Sequence, residues 1–220
     1  MSATELKGRV KDARVAMYRE VILDAAEEVF AENGYEAAKV QAVAASAGVS
    51  LATLYGVFTK KWDLYCALHE RRIAQLMERI GSRGVFEEVD PLTRLLDGVD
   101  GYLEFHMEHP TYLRMHLQDG LAWASGGNAR SPEQARAWSM GVMLMTAAFQ
   151  AGIDAGIFVA DDPGRMARTA IAMHQVRLGD WIDSGMSEPI AEVAAQVRRQ
   201  FVRAFCVPER VPELLGKHAP

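Results

Sequence analysis

The chain has 220 residues, 50% hydrophobic and 24% charged with 8 prolines, a globular composition that excludes a disordered or collagen-like polypeptide. Its two cysteines, Cys66 and Cys206, exclude a disulfide scaffold, and no Cys/His spacing points to zinc; no signal-peptide start and no apolar run of roughly 18–20 residues is found, so a soluble cytoplasmic protein with no membrane partner is expected. The net charge of −5 argues against a nucleic-acid partner only until it is divided along the chain.

No strand pattern survives a pass along the sequence. Apolar residues recur at three and four rather than two, which predicts an all-α fold. Residues 1–19 carry Lys7, Arg9, Lys11, Arg14 and Arg19 against Glu5 and Asp12. Ile22, Ala25, Ala26, Val29 and Phe30 form the stripe of a helix near 10–32, which Asn33-Gly34 should stop. Residues 37–61 hold Lys39, Lys60 and Lys61 and no acid, so two acid-poor stretches can form one phosphate-facing surface. Short helices follow near 39–47 and 50–57, then a long one over 61–81 that can bridge two subdomains. Pro91, Pro110, Pro132 and Pro163 sit where a first helical turn tolerates a missing N–H. Ser131 and Gln134 fit a capping box. The remaining helices are expected near 91–108, 110–122, 131–156, 162–184 and 187–206, nine in all. Pro208 to Pro220 is expected to be loosely ordered.

The two shortest helices carry the most information. Val40, Val43, Ala44, Ala47, Gly48, Val49, Leu54 and Val57 lie at helix-turn-helix spacing. Ala44 is small enough for the helix crossing, and Gly48 tolerates a positive φ in the turn. Ser50 can cap the second helix, whose outward positions are Leu51, Ala52, Thr53, Tyr55 and Gly56. Helices of this kind place their N-terminal residues in the DNA major groove.

The run Ile22-Leu23-Asp24-Ala25-Ala26, Phe30 to Tyr35, Val43 to Ser50, Thr53-Leu54-Tyr55 and Phe58 with Lys61 and Leu64 closely resembles the DNA-binding domain of TetR-family (tetracycline-repressor-like) transcriptional regulators. The resemblance covers about residues 15–68. It implies a helix-turn-helix domain over 1–61 and a helical ligand-binding and dimerisation domain over 62–220. Thr53, Tyr55 and Lys61 match positions that the family uses mainly for phosphates. Leu51 and Ala52 stand at base-reading positions, and Gly56 replaces a commonly larger residue, so readout would be apolar, through thymine methyl groups. Ser50 joins this set as the cap. Lys39 stands where many members have a capping Thr, and it adds a further possible phosphate contact.

In the larger domain, the resemblance implies a ligand pocket among stripes such as Leu95, Val99, Tyr102 and His106. The candidate lining is Tyr102, Phe105, His106, Trp123, Met143, Phe149, His174 and Trp181. His106 and His174 stand out, because a polar ring on an apolar face needs a partner. His106, His109 and His116 suggest a metal, but Pro110 should keep them apart, so neither metal nor cofactor is expected. The resemblance also implies a homodimer through Met166, Ala170, Met173, Ile190, Ala194, Val197, Phe201 and Phe205, as a four-helix bundle.

Two classes of function follow. One is a dimeric repressor that leaves a palindromic double-stranded operator when a small apolar or aromatic effector binds, with a ligand-independent or activating regulator as the alternative. The other is a helical enzyme, against which G-x-S-x-G, H-E-x-x-H, P-loop and G-x-G-x-x-G motifs are all missing.

Overall fold

The computed structural model describes residues 3–84, 89–118 and 131–217. The fold is all-α, with no strand among the described residues. Among the described residues ten α-helices run in chain order: α1 Ala3–Ala37, α2 Val40–Ser46, α3 Leu51–Val57, α4 Lys61–Gly81, α5 Pro91–Glu108, α6 Pro110–Gln118, α7 Pro132–Asp154, α8 Pro163–Asp183, α9 Ile190–Phe205 and α10 Val211–Lys217.

Local chemistry sets most of the boundaries. Asp90, Ser131 and Asp162 each cap a helix by accepting from the backbone N–H three residues on, and a proline follows each cap at the first turn. The capping box at α7 is complete, with Ser131 N–H donating to Gln134 Oε1 and Gln134 N–H to Ser131 Oγ. Asn33-Gly34 kinks α1 rather than ending it: Gly34 takes φ 70° and ψ 164°, and helix resumes to Ala37. At the other end α1 begins about two turns earlier than expected, and residues 5–17 are all exposed. The stretch after Pro208 is ordered over Pro208–Arg210, a 3₁₀ turn, and α10, because Leu214 is buried in the main core.

Two cores result. The smaller gathers Ile22, Ala26 and Phe30 of α1, Val43 and Ala44 of α2, Leu54 of α3 and Leu64, Tyr65 and Leu68 of α4. Phe105, Tyr112 and Met115 join it from α5 and α6. The larger core contains Leu95, Leu96 and Leu103 of α5 and an aromatic cluster of Phe149, Phe158, Phe201 and Phe205. Helix α9 is central to it. Hence Met166, Ala170, Val197, Phe201 and Phe205 are spent on this chain's own core, Ala194 is also buried, and Met173 and Ile190 pack partly against that core. Six of the eight residues expected at a dimer seam are therefore buried within this chain, where α5, α8 and α10 cover the apolar side of α9, and Met173 and Ile190 stay partly exposed.

Gly152 shows how tight the larger core is. A Cβ there would lie 2.2 Å from the Phe158 ring. Gly152→Ala should destabilise the chain by about 1–3 kcal/mol through overpacking. Gly179→Ala, which meets nothing within 4 Å about one turn before the end of α8, should stabilise by up to about 1 kcal/mol through helix propensity. Urea unfolding of the two variants measures both, and equal midpoints would show that the Phe158 ring yields freely.

Candidate functional site

Helices α2 and α3 meet at 104°. Gly48 takes φ +64° in the turn, and an added Cβ would touch nothing within 4 Å, so the backbone conformation rather than crowding demands glycine. Val49 N–H donates to the Ala44 carbonyl at 3.0 Å and closes the corner. Ser50 Oγ accepts from Thr53 N–H at 3.0 Å and lies 2.8 Å from the Thr53 hydroxyl, so Ser50 is the N-cap of α3. Ala52, Tyr55 and Gly56 lie exposed on α3, with Tyr55 at 45%. Thr53 is half-buried beside its cap, and Leu51 packs partly on the smaller core. Lys39 is exposed at the start of α2 and makes no side-chain cap, as its replacement of a hydroxyl residue predicts.

Lys61 has a different task from the one expected. Its ammonium donates to the carbonyls of Tyr35 at 2.7 Å, Glu36 at 3.1 Å and Ala38 at 3.1 Å, and it lies 4.6 Å from the Tyr35 ring centroid. The kink at Gly34 leaves the last carbonyls of α1 open, and a cation at a helix C-terminus satisfies them. All three ammonium hydrogens are used, so Lys61 braces the α1–α2 connection. Its neighbour Lys60 is exposed.

The second feature is a cavity of about 460 Å³ lined by α4, α5, α6, α7 and α8. Its apolar wall includes Ile73, Leu76, Met77 and Ile80 of α4 and Leu95 and Val99 of α5. Its polar end holds Tyr102, His106, Tyr112, His116, His174 and Gln175. Of the residues expected to line a pocket, Tyr102, His106 and His174 are there. Phe105 is in the smaller core instead, Phe149 is in the aromatic cluster, and Trp181 donates its indole N–H to the Glu188 carbonyl at 3.0 Å. Met143 is 61% exposed, because it points away from the wall that Leu144 and Met145 share. Trp123 lies outside the described residues.

Sequence reasoning missed His116, Gln134, Gln175 and Trp138. Two of these had a signal. Pro110 only reorients the chain into α6, so His106 and His116 do converge, with ring centroids 5.1 Å apart. The capping box fixes the first turn of α7 and with it the place of Gln134.

Gln134 also links the cavity to the smaller core. Its Oε1 is held by Ser131 N–H, which leaves its NH₂ to donate to His69 Nε2 at 3.3 Å. His69 Nδ1–H is then free to donate to the Tyr112 hydroxyl at 3.1 Å. Burial holds His69 down to about 3 and His106 and His174 down to about 4, and it holds His116 well below the ordinary value. All four rings are therefore uncharged at neutral pH. Among the described residues no three His, Cys, Asp or Glu side chains are placed to hold a metal ion, and no single helix is long and apolar enough to cross a membrane.

Residues 22–68 match the model of the bacterial regulatory proteins of the tetR family. Over these residues the chain is similar to that family. The helix-turn-helix lies within the matched residues, and the described all-α fold is shared with solved structures of transcriptional regulators. The fatty acid metabolism regulator protein of Bacillus subtilis is 42% identical over 59 residues, 27% of this chain and 30% of that protein. The ketosteroid transcriptional regulator KstR2 of Mycobacterium tuberculosis is 21% identical with a TM-score of 0.71, over 86% of this chain and 95% of that one. The regulator FadR of Bacillus subtilis, solved with stearoyl-CoA, is 20% identical with a TM-score of 0.65, over 83% of this chain and 97% of that one. The curated relatives are matched over only 30–54% of their length.

Two predictions follow from this geometry. Lys61→Met keeps the stem and removes the ammonium, so three carbonyls lose a charged partner. The DNA-binding region should lose about 1–3 kcal/mol, with faster amide exchange in α2. Unchanged exchange with lost DNA affinity would return Lys61 to a phosphate. The buried histidines give the second. Their folded values, about 4 for His106 and His174, lie below the ordinary 6.5. The unfolded chain therefore takes up protons that the folded chain refuses. Stability should be level above pH 6.5 and fall steadily toward pH 4. Urea midpoints that stay constant across that range would show the rings to be hydrated or paired with acids.

Proposed function

We propose that this regulator binds a palindromic operator as a homodimer and releases it when a small, largely apolar effector enters the cavity. The observation that carries this reading is the double membership of α4. Leu64, Tyr65 and Leu68 build the core beneath the helix-turn-helix, and Ile73, Leu76, Met77 and Ile80, two turns further on, wall the cavity. A molecule that shifts the second group moves the first. Helix α6 gives a parallel route: Tyr112 and His116 line the cavity, α6 packs along α1, and Gln118 donates to the Ala31 carbonyl at 2.8 Å. Such a coupling requires the effector to favour one arrangement of α4 over the other. Relatives named for fatty acid and ketosteroid regulation support an apolar effector. The functional boundary between the two domains falls inside α4 rather than at its start.

On the DNA side, Tyr55, Thr53 and Lys39 are assigned to phosphates and Ala52 to a base edge, with Leu51 contributing only its exposed part. Lys60 takes over the contact expected of Lys61. The dimer surface is the outer face of α7 and α8. Met140, Met143 and Leu144 are 47%, 61% and 40% exposed on α7, and Val176 is 60% exposed on α8, which packs against α7. Met143 and Val176 lie on the outward face, while Met140 and Leu144 sit at the edge where α7 turns toward the cavity they also line. The outer side of α9 instead carries Glu192, Gln200 and Arg203. A two-fold axis through the α7–α8 face gives a four-helix packing.

Mobility shifts and footprinting on the promoter of its own gene test the first part. Binding should fall steeply with salt, and Tyr55→Phe should weaken operator and random DNA alike. Met143→Glu with Val176→Glu should sediment as a monomer and bind a full palindrome at least tenfold less tightly. A dimer retained in that double variant would place the interface elsewhere.

A further inference from the structure

The proposed effector cavity has a chemically specific end, and its strongest constraint is a hydrogen-bond acceptor with nothing to accept. His106 Nδ1 lies 2.9 Å from the Tyr102 carbonyl one turn earlier on α5. A carbonyl oxygen can only accept, so Nδ1 carries the ring hydrogen and donates. The ring is neutral, because burial holds it down to about 4. Nε2 is then a lone pair, and it is buried with no partner. His174 Nε2 is also buried without a partner, and the two rings flank Tyr102, at 4.2 Å and 6.0 Å between centroids. The Tyr102 hydroxyl already faces His116 Nε2 at 3.4 Å and bonds Gln175. An orphaned acceptor inside a packed protein costs free energy that a matching donor restores.

Among the described residues no cation stands at this end. Arg94, the cation that lines the cavity, is twelve residues earlier on α5, about 18 Å along the helix. An anionic head would therefore meet neutral imidazoles and a lone pair. A ketone, ester or ether would bring only further acceptors to Nε2.

We infer that the effector is an uncharged molecule with an apolar body and a hydroxyl group, and that this hydroxyl donates to His106 Nε2 at the Tyr102–His174 end of the cavity. The apolar body lies along Leu76, Met77, Ile80 and Val99. The inference rests on the reading of this space as an effector site, and it narrows that reading to alcohols against acids and carbonyl compounds.

The test uses the full chain and four probes: dodecan-1-ol, dodecyl methyl ether, dodecanoate and the uncharged dye diphenylhexatriene. Tryptophan quenching and displacement of the dye report binding. Dodecan-1-ol should bind at least tenfold more tightly than the ether or dodecanoate. His106→Phe keeps an aromatic ring and removes the acceptor, so it should erase the advantage of the alcohol and leave the affinity of the ether unchanged. The wild-type ranking stands even if that variant folds poorly. Imidazole nitrogen shifts supply a second readout, since the His106 Nε2 signal should move on adding the alcohol and stay put with the ether. If the ether or dodecanoate binds as well as the alcohol, the hydroxyl assignment is overturned. If the dye enters and none of the three chains displaces it, that assignment again fails while the effector cavity stands. If all four are excluded, the cavity reading falls with it.

Discussion

Helix α4 must satisfy two cores with one rigid rod, and the rest of the molecule is arranged around that requirement. Its first turns are fixed by apolar contact with α1 within the core that α2 and α3 share. Its middle is fixed by charge. Glu27 of α1, 5% exposed, takes a bidentate pair from Arg72 at 2.7 and 2.8 Å, and Arg71 reaches Glu20 and Asp24 at 3.1 and 2.8 Å. A buried carboxylate without its guanidinium is strongly destabilising, so this pair holds the register of α1 against α4 more firmly than its net worth suggests. Beyond Arg72 the helix has apolar residues on the cavity side. The clamp therefore sits between the part that positions α3 and the part that an occupant of the cavity can push, at the place where a displacement must be passed on or absorbed.

The polar groups around the cavity follow from the same arrangement. Burying a ring of histidines, tyrosines and glutamines costs free energy unless each finds a partner. The structure meets most of that cost along one line, from Ser131 through Gln134 and His69 to Tyr112. That line ends in the smaller core, where Tyr65 stacks edge-on to His69 at 4.4 Å. At the other end the line stops short, at His106 and His174. A network satisfied toward the DNA-binding side and unsatisfied toward the cavity is polarised, so an occupant that completes it adds order where α4, α5 and α6 meet.

What was legible in the sequence was what short-range chemistry decides. The turn glycine Gly48, the caps Ser50 and Ser131 and the proline starts each depend on a few neighbouring atoms, and each stands where the residues said. What was not legible depended on which neighbour a stripe meets. Phe149 of α7 and Val197 and Phe201 of α9 have the spacing of an interface or a pocket wall, but all three turn inward into the core that holds Phe158, and only the packing of α7, α8 and α9 decides this. Met143 fails for the opposite reason, since one residue of rotation separates it from the lining position of Leu144. Lys61 has the spacing of a phosphate ligand, and its diversion to three carbonyls needed the kink at Gly34 to be known. For His116, Pro110 reads as a separator of two helices, whereas the bend brings their faces together.

Charge shows the same division between composition and placement. Residues 1–61 carry equal numbers of acids and bases, which by count gives no attraction for DNA. In the fold, Glu20, Asp24 and Glu27 turn toward Arg71 and Arg72 of α4 and are neutralised there. Lys7, Lys11, Lys39 and Lys60 remain exposed, two of them on the unpacked start of α1 and two beside the helix-turn-helix. Half of the acids between the basic segments, Glu20, Asp24 and Glu27, are thus paired by arginines that lie outside the segment. The lysines beside Tyr55, Lys39 and Lys60, thus stand exposed in a stretch that holds no acid, residues 37–61. The sign of the whole molecule therefore says little about its partner, and the pairing across the α1–α4 contact decides which face can approach a phosphate backbone.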